Sequence, residues 1–271
     1  MAAPILDRED DPEFVQSLAK GLAVIEAFGP AMPAMTLSEV ARKVGLSPGS
    51  ARRMLRTLQR LGYVGTDGQR FMLLPRTLQL GYAYLSSLPL TSVVQPRLTQ
   101  LTQEVDGSCS VSVLDGHDVV YVARATGRGL LRDYMAVGTR YPAHTTSAGK
   151  VLLGAMPRPA LKRWLDGHSL EALTANTVTE PEALLKVLDE ARGQGWAINN
   201  QETALGHRSI AVPVTVSGRV VAAMGIGCEV ARVTIETMVD DFLPKLQREA
   251  IILATALTAL ESAGGTLLPW A

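Results

Sequence analysis

The sequence predicts an α+β protein of two domains, and three observations carry that expectation. The chain has 271 residues, 47% of them apolar, which is enough for two buried cores and too much for a disordered chain. The first quarter reads as helices followed by one tight hairpin, whereas the remainder alternates strand pairs with helices. Charge is also divided. Overall 26 basic residues meet 26 acidic ones, but Thr36 to Arg76 holds eight basic residues (Arg42, Lys43, Arg52, Arg53, Arg56, Arg60, Arg70, Arg76) against Glu39 and Asp67. We expect a winged helix-turn-helix over residues 1–74, a linker helix over 75–90 and a second domain over 91–271.

The first element is "FVQSLAKGLAVIEAF", where Phe14, Leu18, Leu22, Ile25 and Phe28 recur at helical spacing until Gly29 and Pro30 end it. Thr36 and Glu39 stand at capping-box spacing and open a second helix, and Gly45 permits the tight turn after it. Ser47 and Pro48 then suit the N-cap and first position of a third helix. Its apolar positions Ala51, Met54, Leu55, Leu58 and Leu61 project to one side, and Gly49, Arg52, Arg53, Arg56 and Arg60 to the other. Arginines clustered on a helix usually form a solvated face. Here they follow a short turn between two helices and begin at the end that enters a major groove, as in a helix-turn-helix. "YVGTDGQRFML" adds a hairpin around Asp67-Gly68, with Gln69 and Arg70 near its tip. The expected DNA contacts are Ser47, Gly49, Ser50, Arg52, Arg53, Arg56, Arg60 and Arg70.

Pro75 leads a helix carrying Leu78, Tyr82 and Leu85, read as the linker, and a further helix spans about residues 92–105. "SCSVSVLDGHDVVYVARA" is a hairpin turned at Asp115-Gly116. "AVGTRYPAHTTSAGKVLLGAM" runs through a broken loop into a helix capped near Thr145 to Ser147, and helices follow at about 158–166 and 181–194. The strands "WAINN", "SIAVPVTVSG" and "RVVAAMGIGCE" come next, the last two joined at Ser217-Gly218, before a closing helix over about 235–263.

This order resembles the IclR family of bacterial transcription regulators over nearly the whole chain. "LSEVARKVGLSPGSARRMLRTLQRLGYV" resembles its DNA-binding segment, and "PAHTTSAGKVLL" with "GHRSIAVPV" its effector domain. "GSCSVSVLDGHDVVYVAR" is most similar to the subgroup governing protocatechuate and 4-hydroxybenzoate catabolism. The resemblance implies a GAF-like sensor, a homodimer or dimer of dimers on operator DNA, and a small carboxylate effector. By motif it places Ser147 and Ala148 at a helix start, with Asn199, His207 and Ser209 in the returning strands. Asn199 and Ser209 depart from relatives that sense small keto acids, so an aromatic carboxylate is expected, with a keto acid as the alternative.

The chemistry agrees. A helix start offers free N–H groups to an anion, so His144, Thr145, Thr146, Ser147 and Ala148 are expected around the carboxylate. His207 and Ser209 supply polar partners, Arg132 or Arg208 neutralises charge, and Val111, Val113 and Met224 form the apolar wall. Taken singly, Tyr134 and Met224 are expected in the core rather than as ligand contacts. A hydrolase is disfavoured because no nucleophile elbow, dinucleotide-binding or phosphate-loop motif is present. No catalytic residue, cofactor or metal is expected, since Cys109 and Cys228 lack any ligand spacing and read as buried thiols. The acidic N-terminus and the lack of a long uncharged apolar run point to a cytoplasmic protein that does not engage membranes.

Overall fold

The computed structural model describes residues 12–87, 90–127, 136–166 and 169–262, and the chain divides into two compact units between Tyr84 and Leu85. Arg132 and Tyr134 lie outside the described residues.

In the first unit, α1 (Gln16–Glu26), α2 (Leu37–Lys43) and α3 (Pro48–Arg60) surround a core of Val24, Phe28, Met35, Val40, Leu55, Leu58 and Val64. The capping box forms as expected: Thr36 Oγ1 accepts from Glu39 N–H and the Glu39 carboxylate accepts from Thr36 N–H. These bonds hold the Glu39 carboxyl below its ordinary range. Gly45, at φ +67, makes the turn into α3, and Ser47 caps it by accepting from Ser50 N–H at 3.3 Å. The stripe expected on α1 is corrected. Ala19, Val24, Ala27 and Phe28 are buried, whereas Leu18 and Leu22 are exposed, because the helix packs on α3 through its smaller side chains. Leu61 is likewise exposed at the end of α3.

The wing has three strands. β1 (Ala34–Thr36), hidden in sequence by its length, pairs with β3 (Arg70–Leu73), which pairs with β2 (Val64–Thr66) in the order β1-β3-β2. Of Asp67 and Gly68, only the glycine takes a positive φ. Asp67 closes the turn with its side chain, which accepts from Gln69 N–H and Arg70 N–H. A 3₁₀ turn at Pro75–Thr77 leads into α4 (Leu78–Ser87).

The second unit opens with α5 (Leu90–Glu104) and is built on an antiparallel sheet in the order β6-β5-β4-β9-β8-β7. These strands are β4 (Ser108–Asp115), β5 (Asp118–Thr126), β6 (Arg140–Pro142), β7 (Ala197–Asn200), β8 (His207–Val216) and β9 (Arg219–Glu229). Between β6 and β7 run α6 (Ser147–Ala155), α7 (Arg158–Asp166) and α8 (Pro181–Gln194). After β9, α9 (Ile235–Thr237) passes through a π turn into α10 (Leu243–Ser262), so the closing helix is continuous but not uniform. The α6 helix packs on one sheet face with α8 behind it, while α5 and α10 pack on the other.

Strand alternation assigns side chains to these faces. Ser108, Ser110 and Ser112 of β4 face α6 with Ala223, Gly225 and Gly227 opposite them, and Val111, Val113 and Met224 face away. The expected apolar wall is therefore wrong. Those residues belong to the core under α5 and α10, one residue out of phase with the sensor face.

Candidate nucleic-acid interface and effector cavity

On α3 the side chains of Ala51, Leu55 and Leu58 are buried, while Ser47, Gly49, Arg52, Arg53, Arg56 and Arg60 are exposed and Ser50 is half-buried. No ion pair engages the four guanidinium groups among the described residues. Four uncompensated positive charges on one face suit a polyanion. A Cβ at Gly49 would meet nothing within 4 Å, so the backbone there is open to close approach. Arg70 lies exposed beside the turn of the wing, its Nη1 donating to Ala34 O at 3.4 Å.

In the second unit two chambers share Tyr121, His207 and Ser209. The narrower, of about 20 Å³, is lined by Ser108, Ser110, Arg124, Ser147, Ala148, Gly225 and Gly227 as well. The wider, of about 70 Å³, adds Tyr141, Thr146, Asn199, Thr203 and Ala204. The narrow one sits at the start of α6. Thr146 caps that helix by accepting from Gly149 N–H at 2.9 Å, and the Lys150 N–H goes to Thr146 O. The N–H groups of Ser147 and Ala148 then have no acceptor among the described residues. Ser147 and Ser209 hydroxyls bond each other at 2.8 Å. Only one of their two hydrogens is used, so the other is free to be donated.

Arg124 reaches the same chamber because β5 is bulged. Ser110 pairs with Arg124 and Ser112 with Tyr121, so Val122 is the extra residue and two side chains three apart in sequence share one face. Gly227 keeps the floor open, since a Cβ there would lie 2.9 Å from His207 Nε2. In the wider chamber the Tyr121 and Tyr141 rings meet edge to face, centroids 6.2 Å apart. Asn199 accepts from Glu202 N–H and donates to Thr203 Oγ1, which donates to Thr145 O. Lys150 braces this wall from α6, donating to Ile198 O at 3.1 Å and to the Glu202 carboxylate. Burial holds the Lys150 amine below its ordinary value, and the Glu202 carboxylate opposes that shift.

Of the residues expected at the sensor, Thr146, Ser147, Ala148, Asn199, His207 and Ser209 come together here. His144 and Thr145 lie behind the helix start: His144 Nε2 bonds Glu171 O at 3.0 Å, and Thr145 Oγ1 donates to Pro142 O. Arg208 faces the other side of the sheet, where it donates to Asn200 Oδ1 and Val233 O. Among the described residues the cation at the cavity is thus Arg124. Neither it nor Ser108, Ser110, Tyr121 and Tyr141 was singled out from sequence, although serines at every second position of "SCSVSV" mark a polar inner face.

Cys109 and Cys228 are free and buried, and burial pushes both thiols up, Cys228 to about 11. Among the described residues no group of His, Cys, Asp and Glu is placed to hold a metal ion, and no helix is long and apolar enough to cross a membrane.

A winged helix-turn-helix with a free arginine face, joined in one chain to a domain holding a polar cavity at a helix start, defines a ligand-responsive DNA-binding regulator. The chain belongs to the IclR family of bacterial transcriptional regulators: residues 17–68 match the IclR helix-turn-helix domain and residues 82–253 the IclR C-terminal domain. This is a family of regulators, not of enzymes. The chain is 40% identical over 238 residues to the Pca regulon regulatory protein of Pseudomonas putida, covering 87% of this chain and 82% of the relative. It is 38% identical to the p-hydroxybenzoate hydroxylase transcriptional activator of Acinetobacter baylyi, covering 88% and 90%. Among solved structures, an IclR homolog of Microbacterium hydrocarbonoxydans complexed with 4-hydroxybenzoate matches with a TM-score of 0.76 at 25% identity, covering 90% and 99%.

Proposed function

We propose that this regulator binds operator DNA in the cytoplasm as a two-fold assembly and responds to a small aromatic carboxylate. The observation that carries this reading is the two-chambered cavity, with hydrogen-bond donors and a cation at one end and an aromatic pair at the other. A carboxylate leaving water needs replacement partners. The Ser147 and Ala148 N–H groups, the Arg124 guanidinium and the spare hydrogen of the Ser147–Ser209 pair supply them at a helix start. The ring then lies against the Tyr121–Tyr141 pair, with Asn199, Thr203 and His207 near its substituents. The 4-hydroxybenzoate complex of the Microbacterium homolog supports this ligand class, and the Acinetobacter relative is named as the transcriptional activator of a p-hydroxybenzoate hydroxylase. An aliphatic keto acid would present no ring to the aromatic pair.

Titration calorimetry tests the reading. 4-Hydroxybenzoate is expected to bind, its methyl ester to lose at least tenfold in affinity, and Arg124→Met and His207→Ala to weaken the acid while operator binding without ligand is retained. Equal binding of acid and ester overturns the helix-start cradle.

At the DNA, Ser47, Gly49 and Ser50 approach the backbone, and Arg52, Arg53, Arg56 and Arg60 read bases and phosphates in the major groove. Arg70 contacts phosphate from the wing. Because a single winged unit touches few base pairs, two copies on a pseudo-palindromic site are expected.

A further inference from the structure

The Arg124 side chain lines the narrow chamber, but its backbone carbonyl serves a different partner. Among the described residues β6 pairs with β5 only from Asp118 to Val120, so Arg124 lies on an edge that no described strand covers. Its carbonyl oxygen accepts from Gln95 Nε2 of α5 at 2.9 Å. That bond joins the cavity strand to the helix on the opposite face of the sheet, where Val94, Leu98 and Leu101 of α5 are buried. The strand is also irregular here, because the bulge at Val122 stands two residues before Arg124.

The α5 helix is held unevenly along its length. At its C-terminal end Glu104 is bound twice from α10: Lys245 Nζ donates to its carbonyl oxygen at 3.1 Å, and Arg248 Nη2 to its carboxylate at 2.9 Å. In the first half Pro96 supplies no N–H, so one backbone bond to the preceding turn is missing. Gln95 stands beside that gap. Residues 88 and 89 separate the start of α5 from the end of α4 in the chain.

We infer that Gln95 is a positioning residue that couples the effector cavity to α5: a carboxylate engaging the Arg124 guanidinium fixes the backbone of β5 there, and the Gln95 side chain passes that constraint to the first turns of the helix. The inference rests on the reading of the cavity as an effector site and adds how its occupancy is felt on the far face of the sheet. A ligand biases a distant element only through a contact that differs between the bound and free states. The Gln95 bond is such a contact. It is exposed, so water competes for both partners while β5 moves, and it strengthens once the carbonyl is held still. It also acts on the half of α5 that has lost a backbone bond at Pro96, whereas the half beyond is fixed to α10 through Glu104.

Hydrogen exchange on the full chain, with and without saturating 4-hydroxybenzoate, tests this. In the parent the acid is expected to slow exchange at the start of α6 and also in the first turns of α5, the latter by about fivefold or more. Gln95→Met keeps the length of the side chain and removes its donor. Titration calorimetry is expected to place its affinity for the acid within about twofold of the parent, since the lost bond is exposed and touches no ligand. The start of α6 is then still protected on binding, while the response in α5 disappears. Gln95→Lys supplies a donor again and is expected to restore that response. A parent that binds the acid with no change in α5, a Gln95→Met protein that keeps the full response, or a Gln95→Lys protein that does not regain it overturns this inference and leaves the cavity reading standing. So does a Gln95→Met protein that loses affinity but keeps its α5 response at saturation, because Gln95 then only seats Arg124. A parent that binds no 4-hydroxybenzoate overturns the cavity reading itself, and this inference with it.

Discussion

The arginine face of α3 and the cavity beside α6 are both polar sites on apolar frameworks, yet they are built in opposite ways. The arginines of α3 belong to one helix, are exposed, and repeat with its period, so each contributes alone. The cavity is lined from β4, β5, β6, β9, α6 and the β7–β8 region, and its groups are buried or half-buried, several of them bonded to one another. A surface site built this way tolerates loss of a member. A convergent buried site depends on its supports as much as on the groups that touch ligand.

The strongest way to break this contrast is Lys150→Met. It leaves the Glu202 carboxylate buried without its cation, which is expected to cost about 3–5 kcal/mol. Trp164, Trp196 and Trp270 all lie after Leu85, so tryptophan fluorescence during urea unfolding follows the second unit. The double change Lys150→Met with Glu202→Met is expected to recover most of the loss. If the single variant unfolds like the parent, the brace is not a support.

Next come Arg52→Ala and Arg56→Ala, expected to weaken operator binding by about 1–3 kcal/mol each where they meet base edges, with effector affinity untouched. Gel-shift titration at fixed salt reads this, and parental affinity in both variants would take α3 out of the groove. Arg70→Ala tests the wing, and the slope of log affinity against log salt is expected to fall by about one.

Smaller still is Thr36→Ala, which removes the cap of α2 at about 1 kcal/mol, visible as an earlier transition in helical dichroism of the first unit. Acid sharpens the same point. The carboxyls of Glu39 and Asp67 are held low by backbone N–H donors, so their contribution is present above the ordinary values of 4.5 and 3.8 and is lost as pH falls below them. Thr36→Ala is expected to flatten that acid sensitivity, and an unaltered pH profile would detach Glu39 from the cap.

By itself the sequence determined the helices, their caps and the hairpins, because these follow from local spacing: Thr36 with Glu39, Ser47 with Pro48, Ser217 with Gly218. It also determined the arginine face, since one helix carries its own period. It marked Ser147, Ala148, Asn199, His207 and Ser209 as candidates through motif resemblance, and Thr146 through the free N–H groups of a helix start. Only the tertiary structure decided which of the described cations joins them. Arg208 and Arg124 are equally charged in sequence, but strand alternation turns Arg208 away, and the bulge at Val122 turns Arg124 inward beside Tyr121. It likewise put Val111 and Met224 on the far face and hid Leu18 and Leu22 from the core of their own unit. The physical reason is that periodicity fixes directions within an element, whereas a one-residue change of register, or the choice of which face of a helix meets its neighbour, is settled by packing between elements distant in the chain.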